Sequence, residues 1–274
     1  MSAPLNDADA AAGSGDVLTH DILFFVLGLF TGVIGTLIGI GGGFVLTPVF
    51  MVMFPEMSPS HLTALSLMAV AANSTSGSLG YAYRQQVHWP SVLYFALAGI
   101  PGVFLGVFLL QFVERSKFEV AFSIFLIAMS VFVLWRSFRK KTGHAHADEF
   151  WTTKKKIFGS VISLFVGVIS SLFGIGGGVV HVPLLSEVLR YPIHLAAGTS
   201  HAILSITSIV AVTLHFVRGD LVNVEGFMLW LIIGLLIGAQ GGAMLSKKVA
   251  SQWILRGLGL VLISMAIRFI LKNF

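Results

Sequence analysis

Two glycine-rich pentapeptides carry the strongest chemical signal in this sequence. Gly39-Ile40-Gly41-Gly42-Gly43 recurs as Gly174-Ile175-Gly176-Gly177-Gly178, an offset of 135 residues (174 − 39), and Pro48 and Pro183 keep the same offset. Glycine costs about 1 kcal/mol relative to alanine inside a helix. Each cluster therefore marks a point where the backbone unwinds, and the apolar runs from Phe44 and from Val179 read as fresh helices. The amides of Gly41, Gly42 and Gly43, and of Gly176, Gly177 and Gly178, then sit at helix N-termini. Free N–H groups and the positive end of the helix dipole favour an anion there. Glycine also lets an oxyanion approach the backbone closely, so no buried Lys or Arg is required. Pro48 and Pro183 are the expected helix breaks or hinges. A lone glycine cluster reads first as a close helix crossing; two in register favour an anion site that faces a watery, central hollow.

Side-chain donors follow each cluster. Thr63, Ser66, Asn73, Ser74, Thr75, Ser76 and Ser78 lie in one apolar segment, and Thr199, Ser200, His201, Ser205, Thr207 and Ser208 in another. Ser66 and Asn73 are seven apart and share a helix face, as do His201, Ser205 and Ser208. His61-Leu62 matches His194-Leu195 at an offset of 133 (194 − 61), which sets Ser66 to Met68 opposite Thr199 to His201. Hydroxyl and amide donors suit oxyanions, although Ser and Thr also bond back to their own helix or join neighbouring helices. Ser66, Asn73, Thr199, Ser200 and His201 are the side-chain candidates for the anion. Gln240, set among Gly238, Gly241 and Gly242, joins them as a group that either reaches the cavity or bonds between helices. His201 is also the candidate proton-coupling group, because an intramembrane imidazole can titrate near neutral pH; the competing reading is a neutral ring bonded to a neighbouring helix. His181 has Leu46 at the matching place, which argues against a shared role. The sequence has no cysteine, no HExxH and no acidic pair within a span, and His144 and His146 alone are a weak ligand set. No metal, cofactor or enzymatic activity is expected.

The elements that must position these residues are membrane helices. The 274 residues are 56% hydrophobic and only 11% charged, against about a quarter charged in soluble domains. Apolar segments run over 22–38, 44–54, 60–82, 91–113 and 117–136, then 157–173, 179–190, 195–217, 224–246 and 250–271, and several reach the ~20 residues that a spanning helix needs. Residues 1–21 carry four Asp and no Lys or Arg, the wrong charge for a signal peptide, and read as a polar, disordered tail. Residues 137–156 read as a basic cytoplasmic loop between repeats 22–136 and 157–274. That loop and Arg84, Arg190, Lys247 and Lys248 place the N- and C-termini outside, with Arg115, Lys117, Arg218, Arg268 and Lys272 on the outer side. The matched pentapeptides, prolines and segment order indicate an internal duplication. An odd number of crossings per half makes the repeats inverted, a pattern that places a substrate near the midplane. The expected fold is thus an all-α, polytopic transmembrane bundle of two inverted repeats, each of about five helical segments with a Gly-rich break. The lipid bilayer and a small anion are the expected partners, nucleic acid is not, and a homo-oligomer is left open.

The doubled Gly-Ile-Gly-Gly-Gly element with its following proline resembles the sulfite exporter TauE/SafE family, also called the toluene-sulfonate uptake permease family. The second copy, Gly174 to Pro183 with Ala197-Gly198-Thr199-Ser200 downstream, resembles it more closely than the first, where Ala64-Leu65-Ser66-Leu67 stands. The resemblance covers about Leu23 to Leu271. It implies a permease of the cell inner membrane for sulfite, sulfonates such as sulfoacetate, or related sulfur anions. Export is the expected direction, since an inside-negative potential drives anions outward at ~2.3 kcal/mol per charge per 100 mV. An anion-selective channel and a proton-coupled uptake permease are the alternatives.

Overall fold

In a computed structural model, the structure describes residues 7–138, 152–221, 226–246, 257, 259–260 and 262–269. The helices are α1 (Asp7–Ile38), α2 (Gly43–Met53), α3 (Pro59–Tyr83), α4 (Trp89–Leu110), α5 (Arg115–Phe138), α6 (Thr153–Phe173), α7 (Gly178–Pro183), α8 (Ile193–Val217) and α9 (Phe227–Leu245). A π turn, Leu184–Val188, prolongs α7, and residues 262–269 are helical. No strand occurs among the described residues, so the chain is an all-α polytopic bundle. Among the described residues, six helices are long and apolar enough to cross a membrane. Helix α3 has the length, 25 residues, but its hydroxyls and Asn73 make it more polar; it lies with α8 at the centre, and many of those groups are buried.

Three expectations change. The stretch before Asp21 is helix from Asp7 rather than a disordered tail. Ala8, Ala10, Ala11 and Ala12 have high helix propensity, and Asp7 and Asp9 sit at the end where the dipole favours negative charge. The central loop is shorter than 137–156, since α5 runs to Phe138 and α6 starts at Thr153; Arg139, Lys140, Lys141, His144 and His146 lie outside the described residues. Pro48 does not break α2, which runs through it unbroken, whereas Pro183 ends α7 and the wider π turn follows. Helix α2 has 11 residues, about 16 Å at 1.5 Å per residue, too short for a ~30 Å hydrocarbon core. The α7 segment through Val188 is equally short.

The halves interlock. The most extensive pairings are α1 with α9 and α4 with α6, so the first helix of each half packs on the fourth of the other, and α3 meets α8. Small residues permit the approach. Gly28 and Gly32 of α1 lie against the α9 backbone at Leu231 and Leu235, and Gly234, Gly238 and Gly242 of α9 return the contact at Phe25, Leu29 and Val33. Gly102 and Gly106 of α4 meet Leu164 and Val168 of α6 in the same way. The opposite face of α4 exposes Leu93, Leu97, Phe104 and Phe108, an apolar stripe fitted to lipid.

Candidate functional site

The two glycine breaks meet each other inside the protein. Helix α1 ends where Gly39 and Gly41 take φ +85° and +80°, and Gly174, Gly176 and Gly177 are likewise positive at +71°, +79° and +62°, conformations that favour glycine. A Cβ added at Gly43, the first residue of α2, would stand 2.5 Å from Gly174 O. One added at Gly178, the first residue of α7, would stand 2.5 Å from Ile40 O. Each short helix therefore starts against the carbonyls of the other half's break. All of Gly39 to Phe44 and Gly174 to Val179 are buried.

Main-chain bonds decide which amides remain for a ligand. The Gly35 carbonyl accepts from the amides of Gly39 (3.1 Å), Ile40 (2.9 Å) and Gly41 (3.2 Å). Gly41, expected to offer its amide to an anion, has thus already committed it. The Ser170 carbonyl takes the amides of Gly174 and Ile175 in the second break. Gly42 and Gly43, and Gly176, Gly177 and Gly178, donate no backbone bond among the described residues. Exposed N–H groups of this kind are costly when buried without a partner.

Hydroxyls from α2 and from the central helices hold the carbonyl side. Ser66 Oγ donates to Gly174 O at 2.7 Å and Thr47 Oγ1 to the same oxygen at 3.0 Å, with the two hydroxyls 2.8 Å apart. Ser200 Oγ donates to Gly39 O at 3.1 Å. Ser66 and Ser200 thus do the same task in opposite halves, at an offset of 134 (200 − 66) rather than 133. The correction moves Thr199 off the breaks: its Oγ1 accepts from His88 N at 3.0 Å, tying α8 to the turn before α4. Gln240 braces α9 on α3, its Nε2 donating to Ser76 O at 2.7 Å and lying 3.0 Å from Ser76 Oγ.

Beside the first break lies a buried polar nest. Thr36 Oγ1 donates to Asn73 Oδ1 at 3.3 Å and stands 3.2 Å from His201 Nε2, and Tyr81 Oη donates to Thr36 O at 2.8 Å. Tyr81 meets the His201 ring edge-on at 5.8 Å. Asn73, Thr36, Tyr81 and His201 are fully or almost fully buried, yet Asn73 Nδ2 and His201 Nδ1 have no hydrogen-bond partner. Unsatisfied buried polar atoms call for an explanation. Beside the second break, His181 Nε2 is 3.1 Å from Ser163 Oγ, its Nδ1 is unpartnered, and a Cβ on Gly177 would lie 3.6 Å from that Nδ1. His181 therefore sits at the second break despite Leu46 at the matching place.

The space shared by the breaks is filled by side chains rather than left as a hollow. A Cβ on Gly41 would meet Leu204 Cδ2 at 2.9 Å and Val70 Cγ1 at 3.8 Å, and one on Gly176 would meet Val70 Cγ1 at 2.6 Å and Leu204 Cδ2 at 3.3 Å. Val70 and Leu204 are matched at the 134 offset (204 − 70) and both are fully buried.

Sequence reasoning missed Thr36, Thr47, Tyr81 and Ser163. The signal for Thr36 was its place one turn before the first pentapeptide. A further cluster joins two residues outside the spans to the first turn of α4, where Tyr191 Oη is 2.6 Å from Ser91 Oγ and 3.1 Å from His88 Nδ1. Burial lowers the His88 imidazole pKa below its ordinary value and raises that of the Tyr191 phenol, so this clasp between the halves stays neutral near pH 7.

Comparisons agree with a transporter. A family model described as "Sulfite exporter TauE/SafE" matches residues 24–269. The "Probable membrane transporter protein YunE" of Bacillus subtilis is 28% identical over 92% of this chain and 98% of its own length. A "Probable membrane transporter protein" of Xylella fastidiosa is 28% identical over 86% and 90%. The "Probable membrane transporter protein MJ0441" of Methanocaldococcus jannaschii is 26% identical over 75% and 74%. No solved structure matches.

Proposed function

Because this chain belongs to the sulfite exporter TauE/SafE family of membrane transporters, we propose that it is a secondary carrier that exports small sulfur-containing anions, sulfite or organosulfonates such as sulfoacetate, across the cell inner membrane. The observation that carries this reading is the meeting of the two breaks, with the amides of Gly42, Gly43, Gly176, Gly177 and Gly178 free of backbone bonds and the unpartnered Asn73 Nδ2 and His201 Nδ1 in the nest beside the first break. Five amides and the Asn73 amide donor suit an oxyanion with several acceptor oxygens, and His201 Nδ1, the lone-pair nitrogen of the neutral ring, becomes a further donor once the ring is protonated. Ser66 and Ser200 orient the breaks, and Thr199 and Gln240 brace the helices that carry them. In this reading the repeats are inverted, both termini face outside, and the site lies near the midplane. His201 holds a proton or a hydrogen bond against the anion. The buried Val70 and Leu204 between the breaks support a carrier over an open pore.

Proteoliposomes test this. Outward sulfite flux should saturate with concentration and run faster from inside-negative vesicles than at zero potential. Asn73→Leu and His201→Gln should each weaken sulfite affinity about tenfold or more, since a hydrogen bond to a charged group is worth about 1.5–3 kcal/mol. Absence of flux for sulfite, thiosulfate and small sulfonates alike would sink the proposal.

A further inference from the structure

The last turn of α8 carries a titratable pair that the breaks do not use. His215 is fully buried. Its Nδ1 lies 2.8 Å from Asp220 Oδ2, and its Nε2 is buried without a hydrogen-bond partner. The arrangement follows from the local sequence His215-Phe216-Val217-Arg218-Gly219-Asp220. Gly219, at φ +80°, reverses the chain. Asp220 N then donates to His215 O at 2.9 Å and Gly219 N to Phe216 O at 3.0 Å, the paired bonds of a glycine-terminated helix. This turn carries the carboxylate back over the ring. The Asp220 side chain is 17% exposed while that of His215 is 0%, so water reaches the carboxylate but not the imidazole. Arg218 Nε lies 3.5 Å from the same Oδ2, and the guanidinium is anchored on α4 through Val107 O at 2.8 Å and Gln111 Oε1 at 3.5 Å.

The other half keeps this turn and lacks its chemistry. Tyr81, Arg84, Gln85 and Gln86 stand 134 residues before His215, Arg218, Gly219 and Asp220 (215 − 81). Gln85 takes the positive φ, at +56°, and Gln86 N donates to Tyr81 O at 3.0 Å. There the aromatic hydroxyl is bonded to Thr36 O, and Arg84 returns to Gly80 O on its own helix at 2.7 Å. Helix termination therefore explains the turn in both copies and the His–Asp pair in neither.

We propose that His215 and Asp220 form a proton-exchange couple at one end of the transport core, so that flux depends on the protonation of His215. The proposal rests on the transport reading. With the carboxylate as acceptor, the neutral ring carries its proton on Nδ1 and its lone pair on Nε2. A proton taken up at Nε2 gives the imidazolium, balanced by Asp220. Loss of the Nδ1 proton through the carboxylate to solvent restores a neutral ring in the other tautomer, so one proton arrives and one leaves. Arg218, beside the same oxygen, opposes the charged ring. Other ionisable groups on the elements packed against α8 include His20 and Asp21 on α1, His61, Tyr81 and Tyr83 on α3, Tyr94 on α4, the lysines in the first turn of α6, His181 on α7 and Glu187 on the π turn; the bond that His215 makes is to Asp220.

The test uses the full chain. Ring nitrogen NMR of histidine-labelled protein in micelles, assigned by difference with His215→Gln, should show the His215 ring changing protonation state within the pH range over which the protein stays folded. Asp220→Asn should move that midpoint to lower pH, because a nearby carboxylate favours the charged ring. In proteoliposomes the ratio of wild-type to His215→Gln sulfite flux should change several-fold over the same range; the ionisation of sulfite itself is common to both proteins and cancels. A ring that stays neutral throughout, or a ratio flat with pH, overturns the couple. Should His215→Gln not fold, Asp220→Asn carries both comparisons. Wild-type protein that moves no sulfite, yet whose His215 titrates and responds to Asp220→Asn, defeats the transport reading and leaves the couple standing.

Discussion

Alanine at Gly43 or at Gly178 should abolish sulfite flux and lower thermal stability. In each case the new methyl would lie 2.5 Å from a main-chain carbonyl oxygen of the opposite break. No rotamer relieves a clash with backbone, and the Gly174 carbonyl is further fixed by Ser66 and Thr47. Overpacking of this kind costs about 1–3 kcal/mol. The loss of transport should exceed what that cost implies, because the same displacement parts the two sets of free amides. Gly241→Ala supplies the contrast. It lies within α9, where the nearest atom to an added methyl is Val33 Cγ2 at 3.7 Å, so the change should keep flux and raise stability by up to about 1 kcal/mol through helix propensity. Melting curves and proteoliposome flux for the three variants decide it; wild-type flux in Gly43→Ala would mean that the breaks do not depend on their mutual contact.

The paired substitution Val70→Ala with Leu204→Ala should turn saturable flux into a leak. These two side chains face Gly41 and Gly176 together, and they are the apolar matter between two polar breaks. Truncating a buried Leu costs about 2–5 kcal/mol. A gap beside unbonded amides is polar enough to hold water, unlike a gap in an apolar core. Flux in the double variant should rise linearly with sulfite concentration, and liposomes should become permeable to chloride. Retention of saturation with no chloride leak would show that the barrier lies elsewhere.

Much of this arrangement was legible in the sequence because it is written twice. The matched pentapeptides gave the breaks, and their shared offset gave the pairing of halves. Partners that depend on the fold were not legible. Thr36 meets His201 across 165 residues, and nothing local to either residue signals the other. The one-residue difference between offsets of 133 and 134 arises because His61 and His194 are not equivalent positions: His61 is the third residue of α3 and His194 the second of α8, whereas Ser66 and Ser200 are matched by the carbonyls they bond. Thr199 was misplaced for that reason. The helix from Asp7 was missed because polarity was weighed above the propensity of its alanines. His181 was discounted on symmetry, yet the two halves have diverged at the side chains beside their breaks.

The interlocking of the halves also sets an order of assembly. Helix α4 finds α6 soon after both leave the ribosome, with only α5 between them. Helix α1 presents Gly28 and Gly32 to a partner whose synthesis starts 189 residues after its own end (227 − 38). At translation rates of about 5–20 residues per second, that delay is roughly 10–40 s. During it, the glycine-lined side of α1 must face lipid or the insertion machinery, which makes the nascent first helix the vulnerable part of biogenesis and its docking one of the closing events.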